Sequence, residues 1–275
     1  MRYGRRIVGM TVAFCIGTLG MAPLAAAAQG AVDAWQWRAS IYGWFPGIAG
    51  DTQFPSGASG PSIDASTGDV LSALKFTVMG AFEGRRGDWG FFTDVIYVDL
   101  GGSKSGSRDF EVGRVGLPAG VDVDANLDIK AWIWTLAGSY SLSSTPQNTT
   151  QMLFGTRMLN MNQTLDWSLN GDIGSTKLPG RSGRSEAEGT NWDAIVGVKG
   201  VAALGAKRRW VLPYYVDAGA GESQLTWQAL AGVGYSFKWG TTTLGWRYLD
   251  YEMKSDSAID NINFSGPYMG VTFVW

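Results

Sequence analysis

Three short units recur along this 275-residue chain: Gly155-Thr-Arg157, Gly197-Val-Lys199 and Gly245-Trp-Arg247. Each sets a cation two residues from a glycine. On an extended strand both lie on one face, and the missing side chain leaves room for a long one. Such cations can pair with carboxylates, fill a polar core or line a constriction that selects small solutes. The sequence has no histidine, and its single cysteine, Cys15, falls within the first thirty residues. Serine–histidine triads, histidine-activated water and nitrogen or sulfur metal sites are therefore excluded. Oxygen ligands remain: Asp122 and Asp124 in VDVDANLD could meet a hard cation, but on a strand they only line one face. No glycine-rich phosphate loop leads into a helix, and neither a cofactor nor a metal is expected.

The elements that position these cations are strands. Trp35, Trp37, Ala39 and Ile41 alternate with Gln36, Arg38, Ser40 and Tyr42. From 224 to 239, Trp227, Ala229, Ala231, Val233, Tyr235, Phe237 and Trp239 alternate with Thr226, Gln228, Gly232, Gly234, Ser236 and Lys238. One face is too polar for a sandwich core and the other too apolar for water. Strands of this kind fit an antiparallel transmembrane β-barrel with lipid outside and a polar lumen. The pattern predicts ten strands, near 35–45, 74–85, 88–100, 120–142, 150–168, 191–204, 209–219, 224–238, 241–252 and 262–275, with eight or twelve as alternatives. Short connections, read as periplasmic turns, alternate with mostly longer outer loops at 46–73, 101–119, 169–190 and 253–261; the outer connection near 220–223 is short. Trp35, Trp37, Trp89, Trp210, Trp239 and Trp275 mark the short-turn ends, and Trp44, Trp167, Trp192 and Trp227 the long-loop ends, as aromatic girdles would.

A charge facing lipid near mid-membrane costs about 2–4 kcal/mol for Arg or Lys, so cations on these strands should face inward. The expected lumen network comprises Arg38, Glu83, Asp94, Arg157, Lys199, Asp217 and Arg247. Height along the strands makes Asp217 and Asp94 the expected partners of Arg247. Downstream of Arg157 the stretch NMNQTLDW alternates in the opposite phase, so an inward Arg157 requires a bulge. The network reads either as the packed core of a narrow barrel or as a selective constriction.

Residues 1–28 carry Arg2, Arg5 and Arg6, an apolar stretch and the run Ala25 to Ala28. They read as a signal peptide cleaved before Gln29. Its removal takes three of 22 basic and none of 24 acidic residues, leaving 19 − 24 = −5, which does not suggest nucleic-acid binding. Residues 29–275 form the barrel domain. In the first long loop, Ser66 and Thr67 open a short helix with Val70, Leu71 and Leu74 on one side. The polar, glycine-rich stretch 170–189 suggests a mobile loop.

The chain ends GPYMGVTFVW. Its Tyr268-x-Gly270-x-x-Phe273-x-Trp275 pattern resembles the C-terminal β-signal of Gram-negative outer-membrane barrels, most of which end in Phe. The resemblance implies recognition by the barrel assembly machinery and residence in the outer membrane, with its lipid as partner. The hairpin MGAFEGRRGDWGFFTDVIYVDLGG resembles small porin-like proteins of unassigned function. Omptin proteases and the lipid A and phospholipid hydrolases resemble the chain in size or class, but all depend on a histidine. The chain is therefore read as a non-enzymatic barrel: a narrow passive channel for small solutes or a structural barrel. The alternative is a surface-binding barrel whose extracellular loops carry the function.

Overall fold

The computed structural model describes residues 34–52, 62–112, 117–173, 176–177, 179–254 and 259–275. The expected signal peptide and its cleavage site lie outside the described residues. Ten long strands form the wall: β1 (Gln36–Trp44), β4 (Leu74–Arg86), β5 (Trp89–Val112), β6 (Leu117–Ser144), β7 (Asn148–Ile173), β9 (Arg181–Leu204), β10 (Trp210–Gly221), β11 (Leu225–Ser236), β12 (Thr241–Glu252) and β13 (Ile259–Val274). Each pairs antiparallel with the next. β13 returns to β1 from Arg38↔Val274 to Trp44↔Tyr268, closing the barrel. Closure leaves no open edge around the ring of ten strands, as a sheet in hydrocarbon requires. The ten wall strands agree with the ten read from the alternation. No described helix is long and apolar enough to cross a membrane.

Three short strands lie off the wall path: β2 (Gly47–Thr52), β3 (Ser62–Ala65) and β8 (Thr176–Lys177). β2 continues β1 beyond Phe45 and Pro46, pairing with the outer half of β13. Pro46 carries no N–H for a ladder, which accounts for the interruption. β3 folds back on β2. It leads into the single described helix, α1 (Thr67–Ala73). Ser66 caps α1 through a reciprocal box with Asp69, and Val70 is its buried anchor. Leu71 stays exposed, and Leu74 already belongs to β4.

The stretches expected to be loops at 101–119 and 169–190 correct the sequence reading, because most of their described residues are strand. β5, β6, β7 and β9 run on together, pairing as far as Val112↔Leu117 and Leu169↔Arg181. Serine and glycine give little strand signal of their own, and cross-strand pairing imposes the conformation. The result is a four-stranded sheet rising past the other wall strands.

The outer face of the barrel is apolar across its middle. Ile41, Val196, Val216, Leu244 and Trp246 are each more than half exposed. Lower aromatic contacts join Trp35 to Trp37, Trp37 to Phe82, Phe82 to Trp275, Trp89 to Tyr140 and Trp239 to Phe273. Upper ones join Tyr97 to Trp132, Trp134 to Trp192 and Trp227 to Tyr248. On β6, Tyr140 and Trp132 stand eight residues apart. A tilted strand rises roughly 20 Å over that span, close to the ~25 Å apolar band of a membrane barrel. Trp44 and Trp167 do not join the upper belt. Trp44 faces inward and is buried, and the Trp167 ring lies over Gly183, its register partner.

Candidate functional site

Strand parity turns the midplane charges into the lumen, where two similar clusters form. In the first, Arg247 of β12 donates through one terminal nitrogen to Asp94 Oδ2 at 2.7 Å and through the other to the Tyr42 hydroxyl at 2.9 Å. Tyr42 in turn donates to the other oxygen of Asp94. Gln228 Oε1 accepts two further bonds from the guanidinium, at 3.2 and 2.8 Å. The Trp44 ring lies 4.9 Å from the guanidinium carbon, and its indole N–H donates to the Arg247 carbonyl at 3.2 Å. Every face of this cation is occupied by an acceptor or a π surface, as a desolvated charge requires.

The second cluster repeats the chemistry on other strands. Arg157 of β7 pairs with Asp217 of β10, and Tyr215 donates to the same carboxylate oxygen. Thr135 accepts from Arg157 Nε at 3.2 Å. Arg157 and Asp217 are 0% and 2% exposed. β9 runs between their two strands, and there Gly197 is the register partner of Asp217. A Cβ at Gly197 would come 2.5 Å from Asp217 Cβ, so this glycine makes room for a carboxylate. The pairing corrects the expected Arg247–Asp217 contact: Asp94 is the Arg247 partner, while Asp217 belongs to Arg157.

Nearer the short turns, Lys199 pairs with Glu83 and sits 4.0 Å from the Phe92 ring centroid. Arg38 stands opposite Glu83 in register. Asp193, absent from the expected network, is the register partner of Arg157 and accepts the Ser223 backbone N–H at 2.8 Å. Three lumen ion pairs thus form, Arg157–Asp217, Lys199–Glu83 and Arg247–Asp94, with Arg38 beside Glu83 and Asp193 beside Arg157 in register. The sequence signal for Asp193 was available: it shares a strand face with Gly197 and Lys199. Tyr42 shares the face of Arg38 in the same way.

Arg157 faces inward without the expected bulge, since β7 pairs with β9 without interruption from Asn148 to Leu169. The inverted alternation of NMNQTLDW has another cause. Above the upper aromatic belt the outer face meets water, so Asn160, Asn162, Thr164 and Asp166 point outward. Leu159 and Met161 point inward and are buried.

Apolar clusters pack on both sides of the midplane charges, the lower one interleaved with the Lys199–Glu83 pair. On the short-turn side Phe92, Ala137, Leu153 and Tyr215 pack together. On the long-loop side Trp44, Met79, Ile96, Leu159, Met161, Leu249, Met253, Ile262 and Phe264 form a larger cluster with Tyr42, Ile133 and Tyr251. Asp122 and Asp124 are exposed on the projecting sheet, and no group of three or more ligating side chains that could hold a metal occurs among the described residues.

At the closing strand, Tyr268 faces inward, its ring 5.0 Å from that of Tyr42. Gly270 is the register partner of Tyr42, where a Cβ would come 2.8 Å from Tyr42 Cβ. Phe273 and Trp275 face outward, and the Trp275 backbone exchanges hydrogen bonds of 2.9 and 3.1 Å with Trp37.

No protein-family model matches the sequence, and no curated protein sequence matches it. Among solved structures the chain is similar to the attachment invasion locus protein Ail of Yersinia pestis, at 9% identity and a TM-score of 0.30, over 88% of this chain and 99% of that one. It is similar to the outer membrane protease OmpT of Escherichia coli, at 11% identity and a TM-score of 0.35, over 91% and 100%. It is also similar to the translocator domain of the autotransporter NalP of Neisseria meningitidis, at 15% identity and a TM-score of 0.32, over 88% of each. These neighbours are Gram-negative outer-membrane β-barrels.

Proposed function

We propose that this chain is an outer-membrane barrel with a closed lumen, whose function is carried outside the membrane by the projecting sheet of β5, β6, β7 and β9. The observation that supports this most directly is the burial of the midplane side chains. A conducting path needs water along its length, whereas Arg157, Asp217 and Arg247 are 2% exposed or less. Apolar clusters pack above and below them, the lower one around the Lys199–Glu83 pair. The network therefore reads as the packed core of a structural barrel rather than as a constriction, and the surface-binding alternative becomes the leading reading. Binding is favoured over catalysis because the chain has no histidine, and Cys15 lies in the leader.

Within this reading the leader is removed before Gln29, the assembly machinery reads Tyr268, Gly270, Phe273 and Trp275, and lipid surrounds the finished wall. Neither a cofactor nor nucleic acid has a part in it. Planar-bilayer recording of the refolded protein tests it, and a silent barrel is expected. Steady openings by folded, heat-modifiable protein would return the function to a channel. Replacing the projecting parts of β5–β6 and β7–β9 with short turns should leave a heat-modifiable barrel. Failure of that trimmed barrel to fold would assign the projection to structure instead of binding.

A further inference from the structure

The turn between β9 and β10 reads Gly205-Ala-Lys207-Arg208-Arg209, and the turn between β11 and β12 carries Lys238 between Phe237 and Trp239. The two turns are adjacent: the Ser236 backbone N–H donates to the Arg209 carbonyl at 2.7 Å, and Arg209 donates to the Tyr235 hydroxyl at 3.2 Å. Four cations therefore gather at one point of the short-turn rim. Among the described residues none of them is ion-paired. Among the described residues, the short turn between β4 and β5 adds an acid, Asp88, to this rim.

Arg208 has φ +48°, in the left-handed region. That conformation is uncommon outside glycine, asparagine and aspartate. Its N–H closes the turn on the Gly205 carbonyl at 3.1 Å. Beside the cations lies a continuous aromatic surface. Trp210 meets Tyr235 at 5.2 Å, Tyr235 meets Phe237 at 4.8 Å, and Phe237 stacks on Trp239 at 5.4 Å. Trp210, Phe237 and Trp239 are about half exposed. Half-exposed indole and phenyl rings mark the membrane–water interface, and cations one residue beyond them stand at the height of lipid phosphates.

We propose that these two turns form a binding site for the headgroup of an acidic glycerophospholipid in the periplasmic leaflet. Lys207, Arg208, Arg209 and Lys238 hold the phosphate and its extra negative charge. Trp210, Phe237 and Trp239 lie along the upper acyl chains. The site rests on the membrane-barrel reading, which puts these turns on the periplasmic side.

The test uses full-length refolded protein in zwitterionic bilayers doped with spin-labelled phosphatidylglycerol or spin-labelled phosphatidylcholine. Preferential association of the acidic lipid is expected, roughly threefold over the zwitterionic one and reduced by salt. The variant Lys207→Gln, Arg208→Asn, Lys238→Gln should bring the two lipids to parity. It keeps the Arg209–Tyr235 bond and puts at 208 a residue that tolerates the left-handed conformation. Equal association of both lipids with the unaltered protein would overturn the site, as would a preference that the variant retains. Co-sedimentation with cell-wall sacculi that the variant abolishes, with lipid preference unchanged, would overturn it in favour of the wall. Protein that never becomes heat-modifiable in bilayers would overturn the membrane reading and the site together. A folded barrel without lipid preference would overturn the site alone.

Discussion

Asp217 lies directly over Gly197. The two are register partners on β10 and β9, and a Cβ on the glycine would come 2.5 Å from both Asp217 Cβ and the Val216 carbonyl. That space lets the Asp217 carboxylate reach Arg157 on β7, one strand beyond. Gly197→Ala should therefore push Asp217 off its partner. The expected loss is about 1–3 kcal/mol, the usual cost of overpacking a filled interior. Urea unfolding of the refolded barrel measures it, and an unchanged midpoint would refute the close approach.

The two ion pairs should behave as separate units. Arg157→Ala or Asp217→Ala leaves an uncompensated buried charge, at a cost of about 3–5 kcal/mol. In a double-mutant cycle Arg157 and Asp217 should couple by about 1–3 kcal/mol, and Arg247 and Asp94 likewise. Arg247 with Asp217 should be additive, since they belong to different clusters. Strong coupling between those two would mean that the clusters share one network.

Cysteines placed along β7 and β9 should report three environments. Val196→Cys faces the apolar band and should react with a lipid-phase reagent. Asn162→Cys, two turns of the pleat above the belt, should react with a water-soluble one. Leu159→Cys points into the packed lumen and should resist both until the barrel is unfolded. Lipid-phase labelling at 162 would contradict the water-facing outer surface that accounts for the inverted alternation.

Phe273 and Trp275 point outward at the lower aromatic belt, so replacing both with serine opens no cavity in the lumen. The double variant should assemble poorly in cells yet refold in detergent to a barrel of nearly ordinary stability. Wild-type levels in the outer membrane would remove these residues from the assembly signal.

Period-two alternation was enough to read a closed antiparallel wall, because a side chain's face follows from local parity and lipid outside demands apolar residues at every second position. It placed Arg247, Lys199 and Glu83 on their strands, while Ser66 and Thr67 separately marked the start of α1. It did not decide which cation meets which carboxylate. That depends on stagger between strands, which sets Asp94, Thr135, Arg157 and Asp193 in one row around the wall although they are far apart in sequence. Arg247 consequently finds Asp94 across the lumen, and Asp217 goes to Arg157. Parity also says nothing about what lies beyond each face. Above the upper belt, water replaces lipid outside and apolar side chains fill the inside, so the same alternation carries the opposite meaning from Asn160 to Trp167. The glycine- and serine-rich stretches of β5 and β9 have little strand preference alone, and only pairing with β6 and β7 holds them extended.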